Sequence, residues 1–142
     1  MTRVSTTGAI RMQNGSAQPA VANSSNTAPP KLQAPANAAD CHIHIYDPRF
    51  QSSSPALPNA TVEDYRQLQK RIGVTRGVIV TPRNYGTDNT ITVDAIRQLG
   101  VANARGVAVI RPTVTDAELK SLDDGGIRGI RFTVANPQTA VV

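Results

Sequence analysis

The stretch that decides the fold of this chain spans residues 40–47 and reads Asp40-Cys41-His42-Ile43-His44-Ile45-Tyr46-Asp47. It contains both histidines of the sequence, two positions apart, in a run that alternates as a β-strand does. Successive side chains of a strand point to opposite faces, so we expect His42 and His44 to share one face with Asp40. The other face is apolar and includes Cys41, and we expect helices to cover it.

Two imidazoles on one face of a strand can bind a divalent metal ion or hold an oxyanion. Two histidines can also fall two positions apart by chance, or line a core. Asp40 adds a carboxylate to the expected face and a loop follows at once, which favours the functional interpretation. We therefore take His42 and His44 as candidate catalytic residues, and as metal ligands if a single metal ion is bound.

Composition limits the classes of function. The chain has 142 residues, a net charge of +5 without any Lys/Arg run, and an aromatic content of only 4%. Nucleic-acid binding is therefore not expected, although the isoelectric point is near 10. The single cysteine excludes an internal disulfide and is typical of a reducing compartment, so we predict a cytoplasmic protein. No apolar run approaches the roughly 18 residues of a membrane span, so we expect no membrane partner.

Residues 1–34 differ from the rest of the chain. They are rich in Ser, Thr, Asn, Ala, Gln and Pro, and they show no hydrophobic periodicity. Such a segment cannot bury enough apolar surface to offset the entropy lost on ordering, so we predict a disordered tail. It also lacks the continuous apolar core of a secretory signal. We expect the folded domain to occupy residues 35–142.

Strands and helices alternate after the histidine stretch. Three later strands begin alike, as Arg76-Gly77-Val78-Ile79-Val80, Arg105-Gly106-Val107-Ala108-Val109 and Arg128-Gly129-Ile130-Arg131-Phe132. Short runs rich in β-branched residues are typical of strands that are buried on both faces, as in a parallel sheet.

Three helices are predicted between these strands, at residues 62–72, at residues 90–99 and from residue 116 onward. Thr61 and Asn89 are candidate caps of the first two helices, and Thr115 opens a capping box at the third. A glycine follows each helix, as expected at a helix C-terminus. We expect the third helix to bury Leu119 and Leu122.

This alternation predicts an α/β fold, either a (β/α)8 barrel or a doubly wound sheet. No Gly-rich phosphate-binding turn follows the first strand, where the sequence continues as Asp47-Pro48-Arg49-Phe50, so the barrel is favoured. A complete barrel takes about 250 residues. We therefore predict a partial (β/α)8 TIM barrel, comprising about the first four βα units of a truncated or split enzyme. The open strand edges of such a half barrel are expected to favour self-association.

The segment from Asp40 to Phe50 resembles the opening of an amidohydrolase-superfamily barrel. It most resembles the branch of 2-pyrone-4,6-dicarboxylate lactonase and related sugar-lactone hydrolases. Further segments of the same resemblance are Val62-Glu63-Asp64-Tyr65, Tyr85-Gly86-Thr87-Asp88-Asn89 and Arg128-Gly129-Ile130-Arg131-Phe132. The resemblance implies a site at the C-terminal ends of the barrel strands. It also implies a hydrolase that opens a lactone or cyclic ester of a small carboxylated metabolite.

The resemblance further implies roles for single residues. It places His42 and His44 at the end of the first strand, facing the substrate. It places Arg131 where the lactonase branch binds a substrate carboxylate, a role that suits the forked guanidinium. An arginine at a barrel rim can equally form an ordinary salt bridge. Tyr85 and Asn89 are candidate substrate contacts, although Asn89 can equally serve only as a helix cap.

The implied site is incomplete in this sequence. No histidine follows His44, and the aspartate that the lactonase branch uses to activate water would lie on a later strand. A catalytic zinc site takes three protein ligands and a water, of which the histidines supply two. Three interpretations remain open: a metal-independent lactone hydrolase, a zinc-dependent hydrolase or decarboxylase of the same superfamily, and an inactive truncated product. Arg111, after the third strand, is expected to add positive potential at the rim.

Overall fold

The computed structural model of the chain describes residues 28–53 and 59–132. Within these residues four strands alternate with three helices. The strands are β1 (Ala39–Ile43), β2 (Arg76–Val80), β3 (Ala104–Val109) and β4 (Ile127–Arg131), and the helices are α1 (Val62–Ile72), α2 (Thr90–Leu99) and α3 (Asp116–Asp124). Most of the tail that we predict to be disordered lies outside the described residues. Among the helices that the structure describes, none has the length and apolar character needed to cross a membrane.

The four strands form one sheet in the order β1-β2-β3-β4, and every neighbouring pair is parallel. In a doubly wound sheet the strand order reverses at a switch point, whereas each new strand of a barrel lies beside the preceding one. Sequential order over four strands is therefore the barrel order. The alternation of strand and helix predicted from the sequence is confirmed, with element ends within one residue for α1, α2 and the last three strands.

Capping boxes fix the starts of α1 and α3, as the sequence predicts. The Thr61 hydroxyl accepts a hydrogen bond from the Asp64 backbone N–H, and the Asp64 carboxylate accepts one from the Thr61 backbone N–H at 2.8 Å. Thr115 and Glu118 make the same reciprocal pair at α3. Each box satisfies N–H groups that the first turn of a helix would otherwise leave without partners.

Helix α2 begins differently. Asp88 accepts a hydrogen bond from the Thr90 backbone N–H at 2.9 Å, whereas Asn89 makes no capping bond with its side chain. The Asn89 amide instead donates to the Val109 carbonyl and accepts from the Val109 N–H, both at 2.9 Å. The expectation that the Asn89 side chain caps α2 is therefore wrong, because the amide joins the start of α2 to the end of β3.

The hydroxyl groups of Thr81 and Thr92 extend the hydrogen-bonded link between α2 and β3. The Thr81 hydroxyl donates to the Asn89 side-chain oxygen at 2.9 Å, so the Thr92 hydroxyl must donate to Thr81, at 2.7 Å. All three residues are buried. Buried polar groups that are fully paired in this way hold β2, β3 and α2 in one relative position.

The apolar core lies between the sheet and the helices and is densest around α2. Ile79, Ile91 and Ile96 are fully buried there. A Cβ added at Gly106 of β3 would lie 2.8 Å from Ile96 Cδ1 and 2.5 Å from Ile127 Cδ1, so only glycine lets these side chains pack so closely.

The last unit of the fold packs more loosely. Helix α3 has no buried residue, Leu119 is 37% exposed, and Leu122 is only partly buried. The expectation that α3 buries both leucines is therefore wrong for Leu119. Ile130 of β4 pairs with buried Ala108 and so lies on the helix-covered face, yet it is 48% exposed.

Strand β1 contains an irregularity that the sequence did not predict. The strand advances from Asp40 to Ile43 while β2 advances only from Gly77 to Ile79, so β1 carries one extra residue. Asp40 therefore pairs with Gly77 on the helix side of the sheet, where its charge raises the pKa of Tyr65 after the larger effect of burial. The expectation that Asp40 shares a face with the histidines is wrong.

The same irregularity changes the surroundings of Cys41. Ile43 and Ile45 are buried, as expected, but Cys41 is exposed and its thiol lies 3.6 Å from the Ala39 carbonyl. The expectation that helices cover Cys41 is therefore wrong. An extra residue in a strand interrupts the alternation of faces on which that expectation depended.

Candidate functional site

The two histidines lie together at the end of β1. Their ring centroids are 5.0 Å apart and the rings meet edge to face, at 84°. Ile43, between them, is buried on the helix side, so both imidazoles point to the opposite face. The prediction that His42 and His44 share a face is confirmed. That face is the one turned towards the interior in a (β/α)8 barrel.

The His44 ring is fixed by the backbone of β2. Its Nδ1 lies 2.8 Å from the Val80 carbonyl oxygen, which can only accept, so Nδ1 carries the proton and donates. The neutral ring then presents an acceptor at Nε2. Burial lowers the pKa of His44, opposed by the bond to Val80, and the positive charges of His42 and Arg131 lower it further. The lowered pKa therefore favours the neutral form of His44.

Arg131 reaches the same face from the far strand of the sheet. It is the last residue of β4 and pairs with Val109, and its charge acts on His44 across β2 and β3. The C-terminal ends of parallel strands lie at one edge of the sheet, which brings Arg131 and the histidines to the same edge. Nη1 of Arg131 is buried and has no hydrogen-bond partner among the described residues.

A row of aromatic rings continues from the histidines. The ring centroids of His44 and Tyr46 are 6.3 Å apart, and those of Tyr46 and Tyr85 are also 6.3 Å apart. Tyr85 lies in a short 3-10 turn after β2 and is buried, which raises its pKa. Tyr46 was not selected from the sequence, although the alternation His42, His44, Tyr46 was the signal that could have identified it.

The Arg49 side chain holds the loop that follows β1 by binding two carboxylates. Arg49 donates two nitrogens to the Asp47 carboxylate, at 2.7–3.0 Å, and one of them also to Asp94 of α2, at 2.8 Å. Hydrogen bonds from Arg49 hold the pKa of Asp47 below its usual range. Burial raises the pKa of Asp94, but bonds from Arg97, Gln98 and Arg49 bring it below its usual value. No local sequence pattern relates Arg49 to Asp94, which lies 45 residues away.

Two other predicted residues lie away from the histidines. Asn89 and Arg111 line a cavity of about 690 Å³ between α2 and α3, which includes neither the histidines nor Arg131 in its wall. Because the Asn89 amide already bonds Thr87, Val109 and Thr81, a role in substrate binding for Asn89 stays a prediction without support from its surroundings. Arg111 lines the same cavity, and its contribution to positive potential at the barrel rim stays a prediction.

The residues present do not by themselves fit a catalytic zinc ion. Such a site takes three protein ligands, and His42 and His44 provide two nitrogens. Within the described ranges no group of three or more His, Cys, Asp or Glu side chains converges to hold a metal ion. We therefore assign no step of a reaction to a metal.

Comparisons of the sequence and of the structure with known proteins point to the same family. The sequence profile of the family described as Amidohydrolase matches residues 39–140. The 4-sulfomuconolactone hydrolase of Rhizobium radiobacter is 35% identical over 79% of this chain, and the 2-pyrone-4,6-dicarboxylate hydrolase of Comamonas testosteroni is 36% identical over 75% of it. The chain spans only 38% and 36% of the lengths of these two proteins.

A solved structure of a related protein also resembles this chain. It is that of a probable 2-pyrone-4,6-dicarboxylic acid hydrolase from Acinetobacter baumannii, with citric acid bound. It superposes with a TM-score of 0.61 at 32% identity and covers 67% of this chain, which in turn spans 37% of that protein. The four parallel strands and the three helices between them are therefore a part of a TIM barrel of the amidohydrolase type.

Proposed function

Because the chain belongs to the amidohydrolase family, we propose that it carries part of the site of a hydrolase that opens a lactone of a carboxylated metabolite. One observation carries the proposal. Nη1 of Arg131 is a buried guanidinium nitrogen without a described partner, and it lies on the face of the histidine pair. A buried donor left unpaired costs roughly 1–3 kcal/mol. Arg131 as a whole is only partly buried, and a substrate carboxylate that reached its guanidinium would supply an acceptor for this donor.

The relatives support this class of substrate. Two of them are hydrolases named for a sulfomuconolactone and a pyrone dicarboxylate, and the Acinetobacter baumannii structure holds citric acid, a tricarboxylate. All of these ligands are small and anionic. A guanidinium that can offer two parallel N–H groups suits such a carboxylate better than an ammonium group does.

The two histidines have different parts in the proposed reaction. His44 donates from Nδ1 to Val80, so its neutral ring accepts at Nε2 and can orient the hydroxyl of a water or of the substrate. Polarising the lactone carbonyl needs a donor, which falls to His42, while Arg131 binds the substrate carboxylate. Attack of water on the carbonyl carbon breaks the ring C–O bond, giving a carboxylate and a hydroxyl. A base other than His42, His44 and Arg131 activates this water.

The proposal is tested by hydrolysis of 2-pyrone-4,6-dicarboxylate, followed through loss of the ring absorbance and release of one proton. We expect His42→Ala to lower turnover by about 100-fold or more. Arg131→Gln is expected mainly to raise KM, since it removes the partner of a carboxylate. Arg128→Gln, on the same strand but paired with Asp123, is the matched control and should leave both constants unchanged.

Two results would count against this proposal. Unchanged turnover in His42→Ala would remove the histidine pair from the mechanism, and an inactive wild-type chain would favour the interpretation as an inactive product. Metal analysis of the purified protein separates the zinc-dependent alternative, which predicts zinc in stoichiometric amount.

The open edges of the sheet support a further proposal about assembly. Within the described residues, β1 and β4 each pair on one side only. Unpaired strand edges favour association with other chains. We expect sedimentation of the purified chain to show dimers or larger species that increase with concentration. A single monomeric species that melts cooperatively at all concentrations would contradict this.

A further inference from the structure

The row of aromatic rings beside the histidines forms an aromatic wall on one side of the site. It runs from His44 through Tyr46 to Tyr85 with centroid separations of 6.3 Å at each step. We propose that Tyr46 is a specificity-determining residue, and that its ring selects a flat, conjugated ring carboxylate over a saturated one. This inference rests on the proposed function of the site, and it names the shape of substrate which that site prefers.

The position of Tyr46 is fixed from two directions. Its backbone forms an antiparallel bridge with Ala60, with hydrogen bonds of 2.9 and 2.8 Å. Behind it, the buried Tyr85 ring is tilted by only 33° from the Tyr46 ring. Tyr46 itself is only partly buried, so one part of its surface remains open. A ring held in this way can contact a ligand without losing much further conformational entropy.

The neighbours of Tyr46 place this surface within the site. His44 is the ring next to Tyr46, and His44 is also the residue on which the charge of Arg131 acts. A ligand that places a carboxylate at Arg131 and its ring beside His44 therefore lies near the Tyr46 ring, whose centroid is 6.3 Å from that of His44. The site then has a cationic end and an aromatic end, and the aromatic end is sensitive to ring shape.

Flat and saturated rings interact differently with such a wall. An aromatic or conjugated ring can stack in offset or edge-to-face contact at centroid distances of about 4.5–7 Å, which adds to the effect of buried area. A saturated ring of the same size buries similar apolar area but has no π face. The expected difference in affinity is about fivefold in favour of the flat ring.

A matched pair of probes isolates this difference. Benzene-1,3-dicarboxylate and cis-cyclohexane-1,3-dicarboxylate carry the same two carboxylates on a flat and a saturated ring. Dissociation constants are measured by NMR titration of the wild-type chain and of the variants Tyr46→Leu and Tyr46→Phe. We expect wild type and Tyr46→Phe to prefer the flat probe by about fivefold, and Tyr46→Leu to bind both probes equally. The NMR spectrum also shows whether each variant is folded, and Tyr46→Met serves as a second ring-free variant.

The outcomes separate this inference from the proposal on which it rests. Equal affinities in wild type, or a preference that survives in the ring-free variants, overturn the role of Tyr46 and leave the carboxylate site intact. The variant Arg131→Gln should weaken both probes by the same factor. If it changes neither affinity, or if wild type binds neither probe at millimolar concentrations, the proposed function fails and the inference with it.

Discussion

The region of β2 and α2 and the region of α3 and β4 have similar patterns of sequence but very different packing. Around α2, three isoleucines are fully buried and a chain of buried hydrogen bonds joins Thr81, Asn89 and Thr92. In the region of α3 and β4, α3 buries no residue, and Ile130 of β4 is 48% exposed. Helix α2 packs against β2, β3 and α1, whereas α3 packs mainly against β4. Local sequence therefore determines which elements form, and their neighbours determine how deeply they are buried.

This contrast bears on the site, because the site draws on both regions. His44 is held by the backbone of β2, next to the densest part of the core. Arg131 is at the end of β4, the strand with the less complete support. We therefore expect the histidine end of the site to be more rigid than the arginine end.

The largest expected effect that tests this contrast comes from truncating one apolar side chain in each region. Ile96→Ala leaves a cavity beside Gly106 in a fully buried position, and we expect it to lower the free energy of unfolding by about 4 kcal/mol. Leu119→Ala, in α3, should cost less than about 1 kcal/mol, since that side chain is already 37% exposed. Urea denaturation measures both. Similar losses in the two variants would remove the distinction between the two regions.

A smaller effect is expected from the polar link of the central unit. Asn89→Ala leaves the N–H and carbonyl of Val109 and the hydroxyl of Thr81 without their partner, and we expect a loss of about 3 kcal/mol. Asp88→Ala removes only the cap at Thr90 and should cost about 1 kcal/mol. If Asp88→Ala proves the more destabilising of the two in urea, then Asn89 does not join α2 to β3 in the way described.

The sequence was sufficient for the features that depend on nearby residues. Helix ends followed from capping residues such as Thr61, and strand order followed from the alternation of elements. It was insufficient where distant groups decide the outcome. The extra residue in β1, which turns Asp40 towards Tyr65, depends on how β1 pairs with β2. The bond of Arg49 to Asp94 depends on how the loop after β1 packs on α2.

The candidate site shows the same division. The shared face of His42 and His44 could be predicted because both lie in one strand. Their difference in role could not, because it arises from the Val80 carbonyl of another strand, which fixes the proton of His44 on Nδ1. Arg131 could be placed only through a family resemblance, since it joins the histidines across the whole width of the sheet.

The smallest effect on stability is expected from pH. The pKa of folded His44 is lowered from 6.5, chiefly by burial, so the unfolded chain binds a proton more readily in this range. The free energy of unfolding should therefore fall as the pH falls below 6.5. Asp47 and Asp94 have pKa values lowered from 3.8, so their contribution is lost only at still lower pH. Urea denaturation at pH values between 6.5 and 3.8 therefore measures the contribution of His44 to stability separately from those of Asp47 and Asp94.

The matched variant for this test is His44→Asn, whose amide nitrogen can replace Nδ1 as donor to Val80 but does not titrate. It should remove most of the loss of stability between pH 6.5 and the range of the carboxylates. A variant that loses stability with falling pH just as wild type does would show that His44 is not the titrating group.

The most direct test of the site is the pKa of His44 itself, measured by NMR titration in wild type, Arg131→Gln and Arg128→Gln. The account predicts that Arg131→Gln raises the pKa of His44, because it removes a positive charge acting on that ring from the end of β4. Arg128→Gln removes an equal charge from the same strand, but one paired with Asp123, and should leave the pKa of His44 unchanged. If a folded Arg131→Gln chain gives the wild-type pKa for His44, then Arg131 and the histidines do not form one site.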